Sequence, residues 1–594
     1  MQRLDAGHSR GRDEDALLHV VCALGALFFS AEHVGELESP SAALAAGRPW
    51  ARRAQQLILG QLGDIAVENL MAAVLLCDYQ LRMSNYGEAF MLSAITARMA
   101  QALQINLEHS TDVLCQGPAS GPSASTKESR RRLMWCCYCT DSLVGSGVDQ
   151  LTLIKETDIK IQLPCNERIF LLQSACITEV LEQSKFLKFL EPESLPAYPL
   201  ENMGMRAYHI RYIAIRRKVL RYIKHLDTAK LPWLLDSEFA QLDAESRAWY
   251  ASLPASLQFT PAAIYIRKET QQIGALVSLH YVYHQTMCDI YRIGVKTPAL
   301  YKLRSAFSFP AEQTAFLTTL QTELFFHARS LASITAEALR HGPNALADSR
   351  APTIVYDCCR VMFYYLTQII DPSAVESKTL MSETIPLVQS NIKTLKAMQS
   401  MYPVAELLSN AAEKMLEKVG GGAGSIIPDD PYPNNDLDGA EHSAPGTPVQ
   451  SAPDYVMNPL SIYRMARKKI PEKHAPEKQP VICSPAGAST GWSTLQRRSA
   501  LQQASCDDSI VDPTNNTAPS PAQPFNSHGI PSQNQAAFDD LLSLFASDPS
   551  GWTWQPSDTA IGSHSESNGL PPWEPTYVDQ QLDAWIGDTQ QYGF

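Results

Sequence analysis

Residues 129–170 read SRRRLMWCCYCTDSLVGSGVDQLTLIKETDIKIQLPCNERIF, and the pattern inside this stretch decides the fold class. Glu128 with Arg131 and Arg132 makes a charged helix start. Leu133, Trp135, Cys136, Cys139, Leu143 and Val144 then recur at roughly helical spacing, which predicts one buried stripe. Gly145 and Gly147 stop the helix. The alternation of Asp158-Ile159-Lys160-Ile161-Gln162-Leu163-Pro164 predicts a short extended segment closed by proline. No side chain in the stretch is an obvious catalyst.

Outward from it the pattern stays helical. Upstream, Leu92, Ile95, Met99 and Leu103 within Tyr86–Leu107 follow the spacing of a buried helix face. A Gly, Pro and Ser loop from Cys115 to Ser125 separates this helix from the central one. Earlier helices are predicted from Asp15, as a cap, over Leu17 to Phe28, from Trp50 to Leu59, and from Ile65 to Leu81. Downstream, helices are expected from Phe170 to about Leu190, Met205 to His225, Leu276 to Ile293, Pro310 to His341, Thr353 to Ile370 and Ser382 to Val419. The expectation is an all-α body over residues 13–415 after a loose start at 1–12, with no internal repeat.

These residues resemble the middle homology domain of fungal transcription regulators, the helical region that follows a six-cysteine binuclear zinc cluster. The resemblance is carried by Glu128, Arg131, Arg132, Leu133, Trp135, Asp141, Gly147, Ile161, Leu163 and Pro164. Arg98, Met99, Ala100 and Leu103 look like the family's Arg-Met-Ala-x-x-Leu signature. The step at Trp249, Leu253 and Pro254, and the helix with Leu279, His280, Tyr283, His284, Asp289 and Arg292, resemble its later part. Two places depart: Ser142 stands where the family has arginine, and Gly147-Val148-Asp149 replaces its Gly-Arg-Pro turn. Leu163 to Arg168 looks like a subfamily ending. The resemblance implies control of transcription, a nuclear location, homodimerisation, and a metabolic or secondary-metabolite gene set as target. It also implies DNA contact through a zinc cluster, but residues 1–130 lack that cysteine spacing. Zinc is therefore expected only with an upstream cysteine cluster, and DNA contact only through a further module or a partner protein.

Composition agrees with a folded body joined to an acidic tail. Of 594 residues, 45% are hydrophobic, enough for one large core or two ordinary ones. Lys plus Arg and Asp plus Glu number 41 and 42 before Gly420 but 8 and 20 after it, so the net charge of −13 belongs almost wholly to the tail. A net-negative chain has little general attraction for nucleic acid. The 13 cysteines sit mostly in apolar helical patterns, as reduced thiols do in cytosolic or nuclear proteins. Residues 16–31, ALLHVVCALGALFFSA, are too short for a membrane span and lack the basic flank of a signal peptide, so they read as a core helix.

Several residue patterns resemble catalytic or metal-binding motifs without completing them. His280 and His284 have metal-protease spacing, but Tyr281 stands where the glutamate is needed, so hydrogen-bonded core histidines are expected. Cys136 and Cys139 form a lone C-x-x-C inside a helix, which favours packing over zinc. Gly487 to Gly491 fits the hydrolase elbow pattern but lies in a Pro/Ser tract, and no Asp-rich magnesium cluster or phosphate loop is found. Arg206, Arg211, Arg216, Arg217, Lys218, Arg221 and Lys224 invite a DNA-reading helix. The interleaved Tyr208, Tyr212, Ile215, Val219 and Tyr222 favour a solvated face packed on the core instead. The reading is non-enzymatic, with no catalytic, cofactor or metal residue.

After Gly420-Gly421-Gly422, Pro, Ser, Gly, Asn and Gln dominate, and residues 420–594 read as a disordered acidic tail. Within 535–594, Phe538, Asp539, Asp540, Leu541, Leu542, Leu544 and Phe545, followed by Trp552 and Trp554, show the acidic-hydrophobic alternation of activation segments that dock in a coactivator groove. Arg464, Arg467, Lys468 and Lys469 open a basic stretch suited to nuclear import. The expected partners are coactivators or the transcription machinery, with no membrane. A co-regulator or scaffold that does not touch DNA is the alternative, and an all-helical enzyme the weaker one.

Overall fold

A computed structural model describes residues 14–33, 35, 39–108, 123–187, 198–295, 307–371 and 374–420, with the single positions Ile462 and Ala466. The segments 1–12, 538–554 and the basic residues from Arg464 to Lys469 lie outside them.

Asp15 starts α1 (Ala16–Glu32), its carboxylate accepting from the Leu18 amide at 3.1 Å, the expected cap. Then come α2 (Pro40–Ala46), α3 (Arg48–Gly60), α4 (Val67–Arg82), α5 (Tyr86–Ala102) and α6 (Ala124–Gly145). Helix α1 packs on α3 and α4, α4 on α5, and α5 on α6. Leu92 and Met99 of the predicted α5 face are buried, with Ile95 and Leu103 packed beside them.

After the short α7 (Glu167–Leu171), the second half holds α8 (Met205–Tyr222), α9 (Glu238–Ala251), α10 (Pro261–Glu269) and α11 (Ile273–Tyr291). It continues through α12 (Thr314–Leu339), α13 (Ala351–Tyr364), α14 (Val375–Ala397) and α15 (Val404–Gly420). Helix α11 is buried on nearly every face from Leu276 onward because α8, α9, α10 and α12 pack around it. The two halves share one continuous core. Arg82 on α4 crosses between them, donating to the Ala347 carbonyl at 2.6 Å and the Tyr402 hydroxyl at 3.2 Å. The fold is all-α; among the described residues extended backbone pairs only in isolated bridges, Leu107 with Lys160 and Cys165 with Met203.

Helix α6 ends as expected at Gly145. Ser146 (φ 48°) and Gly147 (φ 81°) take left-handed backbone. A side chain at Gly147 would stand 2.4 Å from the Leu220 carbonyl carbon, so this glycine lets the end of α6 approach α8.

Four expectations change. Helix α6 begins at Ala124, capped by Ser123, so Glu128 and Arg132 are not the helix start but lie buried a turn inside. Cys136 is exposed while Cys137 and Tyr138 are buried. The helix expected to reach Leu190 stops at Leu171, because Gln162, Leu163 and Arg211 take the backbone and side-chain groups of residues 178–181 into tertiary hydrogen bonds. Instead of one helix from Ser382 to Val419 there are two, parted at Met401-Tyr402-Pro403. There the buried Tyr402 hydroxyl binds the Leu346 and Asp348 carbonyls.

Candidate functional site

The charged residues of α6 converge on the segment that follows it. One oxygen of the buried Glu128 carboxylate accepts from Arg132 Nε at 2.8 Å and from the Cys165 amide at 3.0 Å. Its other oxygen takes Arg131 NH1 at 3.3 Å. Arg131 also grips Glu108 through Nε and NH2, at 2.8 and 2.5 Å. Arg132 reaches Glu167 at 2.8 Å and the Cys165 carbonyl at 3.1 Å, and its guanidinium lies 4.1 Å from the centre of the Phe170 ring. Burial opposes the charge on Arg132, but Glu167 and Glu128 outweigh it and hold its pKa above the usual value.

The rest of the motif is spent the same way. Trp135, 1% exposed, donates from its indole to the Gln162 carbonyl at 2.8 Å. The Asp141 carboxylate accepts the Leu153 and Ile154 amides at 3.0 Å each, while burial raises its pKa. Leu163 and Pro164 are buried, and the Leu163 amide donates to the Glu179 backbone carbonyl at 2.8 Å. On α5, Met99 and Ala100 are in the core, whereas Arg98 is exposed and bonds Gln101 at 2.9 Å. Ser142 and Asp149, the two departures, differ in fate: Ser142 is buried, and Asp149 pairs with Arg221 at 3.2 Å.

A second charged cluster lies deep in the core. Asp289 meets Arg216 of α8 at 2.9 Å and Arg292 at 2.6 Å; Arg292 also pairs with Asp357 of α13. Gln285 donates to both carboxylates, at 3.0 and 3.2 Å. Two cations and two carboxylates thus cancel within a buried site. Sequence reading singled out Asp289 and Arg292 but missed Arg216 and Asp357 as their partners. The available signal was a charged pair ending a helix otherwise apolar on all sides.

The cations of α8 form no free basic face. Arg206 binds Glu167, Arg211 binds Glu179 at 2.5 Å, Arg217 binds the Ile154 carbonyl, Lys218 binds Glu245 and Arg221 binds Asp149. Arg211 and Arg216 are buried, so the expected solvated face is partly core.

His280 and His284 do not converge. His280 faces the Leu257 carbonyl at 2.9 Å and the Tyr250 hydroxyl at 3.2 Å, whereas His284 meets His327 of α12, Nδ1 to Nδ1, at 2.8 Å. Among the described residues no three His, Cys, Asp or Glu side chains are placed to hold a metal ion. Clefts of about 50 and 260 Å³ flank α6, small beside the roughly 300–1,000 Å³ of small-molecule sites. No described helix is long and apolar enough to cross a membrane. Beyond residue 420, Ile462 is 6% exposed and packed into the core, with the Ala466 amide bonded to its carbonyl.

Fold and charge pattern define a helical module whose motif residues are spent on its own architecture. Residues 4–191 match the family model described as the fungal specific transcription factor domain. The chain is similar to a transcriptional regulatory protein of Schizosaccharomyces pombe, 29% identical over 316 residues, covering 52% of this chain and 32% of the relative. A second S. pombe transcriptional regulatory protein is 25% identical over 293 residues, covering 46% and 41%. A Zn(2)-C6 fungal-type transcription factor of Fusarium oxysporum f. sp. lycopersici is 26% identical over 269 residues, covering 44% and 28%. The chain thus spans about 28–41% of the length of these relatives. No solved structure matches the chain.

Proposed function

We propose that this chain is a nuclear regulator of RNA polymerase II transcription in which the helical body is a regulatory domain and the acidic tail contacts coactivators. The reading is carried by the match of residues 4–191 to the fungal transcription factor domain. It is supported by the spending of Glu128, Arg131, Arg132 and Asp141 on internal bonds, which leaves them no part in turnover. The body is non-enzymatic on this reading. Phe538 to Phe545 with Trp552 and Trp554 supply the activating surface, and Arg464, Arg467, Lys468 and Lys469 the import signal.

Because the α8 cations are paired internally, DNA contact falls to another module, such as a zinc cluster, or to a partner protein. The same observation favours the second reading, a co-regulator that never touches DNA. Fusing residues 499–594 to a heterologous DNA-binding domain tests the activating tail. Reporter expression is expected to rise and to fall back when Phe538, Leu541, Leu542 and Phe545 are changed to alanine. A flat reporter removes the activator reading.

A further inference from the structure

Two residues from far along the chain sit on the helical body. Ile462 belongs to the continuous core, and Ala466 packs against it. The Ala466 amide donates to the Ile462 carbonyl at 2.8 Å, the bond of one helical turn, which brings both side chains to one face. The Ala466 carbonyl oxygen lies against the first turn of α5, where a Cβ added to Gly87 would stand 3.3 Å from it. Glycine at this position lets the two backbones approach closely.

Gly87 opens an apolar strip on α5. Phe90 is partly buried against the core, and Met91, 63% exposed, stands one turn on from Gly87. Glu88 is exposed in the same first turn and opposite in charge to Arg464, Arg467, Lys468 and Lys469, the basic residues of the incoming segment.

We infer that the start of α5 is a docking site for the chain's own segment 462–466, seated as one helical turn with Ile462 as its anchor. One isoleucine and one alanine bury little apolar area, so the segment binds weakly by itself. Joined to α15 through the Gly-, Pro- and Ser-rich residues 421–461, it has an effective concentration on the order of millimolar at its site. A second copy of the chain in micromolar solution supplies the same segment roughly a thousandfold more dilute, so the seat is filled from within. Arg464 lies between the two seated residues in sequence and Arg467 follows them, so on the import reading a receptor for this stretch competes with α5 for it. The docking itself stands without that reading.

Hydrogen–deuterium exchange on the full chain tests the docking without reference to import. The Ala466 amide is expected to exchange at least about tenfold more slowly than its intrinsic rate, equally at all protein concentrations over a roughly fiftyfold range. Ile462→Ser removes the anchor, and Gly87→Val puts a side chain branched at Cβ where the Ala466 carbonyl sits; each should return Ala466 to its intrinsic rate. Valine is a better helix former than glycine, so unchanged exchange of the α5 amides shows that the body stays folded. Ile510→Ser, elsewhere in the tail, should leave Ala466 protected. Exchange at the intrinsic rate in the unaltered chain, or protection that survives Gly87→Val, overturns the inference. Protection that rises with protein concentration also overturns it, giving the seat to a second copy.

Discussion

Arg216 and Asp289 face each other at 2.9 Å in the middle of the protein, 7% and 0% exposed at their side chains, and tie α8 to α11. Removing one member of such a buried pair leaves a charge that neither water nor protein solvates.

Asp289→Asn is therefore expected to cost about 3–5 kcal/mol of unfolding free energy, because Arg216 and Arg292 both lose their shared carboxylate. Lys218→Ala, which breaks an exposed pair with Glu245, should cost about 0–1 kcal/mol. Urea denaturation of the two variants, followed by circular dichroism, checks the contrast.

Glycine at position 147 is fixed by geometry, whereas glycine at 25 is not. Gly147→Ala meets the Leu220 backbone and a positive φ, and should destabilise by more than about 1 kcal/mol. Gly25→Ala lies inside α1 with open space around it and should stabilise by about 0.5–1 kcal/mol. Opposite shifts in thermal midpoint are the expected readout.

Burial pushes His280 down to about 4 and His284 to about 3, while an unfolded histidine titrates near 6.5. The unfolded chain therefore binds more protons below that value, and stability falls as pH drops from about 6.5 toward the folded pKa values. Each such imidazole contributes a slope of up to about 1.4 kcal/mol per pH unit. Asp141 and Asp289, raised by burial, act in the opposite sense, so the comparison is with a variant. His284→Gln should flatten the loss of stability between pH 7.5 and 5.5 by about one proton's worth, measured by denaturation at each pH.

What the sequence made legible was local. The Asp15 cap and the α11 core helix depend on neighbours within a turn or two, and both were visible as spacing. In α6 the helix was legible but its phase was not: Cys136 shares an exposed line with Ser129, seven residues away, while Cys137 and Tyr138 turn inward. Glu128 and Arg132 read only as a charged helix start because their compensation comes from Cys165 and Glu167, more than thirty residues on. The stretch after Leu171 has helical composition, and only tertiary bonds from Gln162, Leu163 and Arg211 show why it is not helical. Arg216 and Asp357 were invisible as partners for the same reason: neither carries its pairing in its own segment.

The central claim is that Glu128, Arg131 and Arg132 act inside the protein, as the staple that fixes the exit from α6. A double-mutant cycle of Glu128→Gln and Arg132→Met, read by urea denaturation of the full chain, tests it most directly. Each single change is predicted to cost about 3–5 kcal/mol and the pair clearly less than the sum, since the two groups share a buried bond. Near-unchanged stability in both singles, with purely additive effects, would contradict the account and hand these residues to an external ligand.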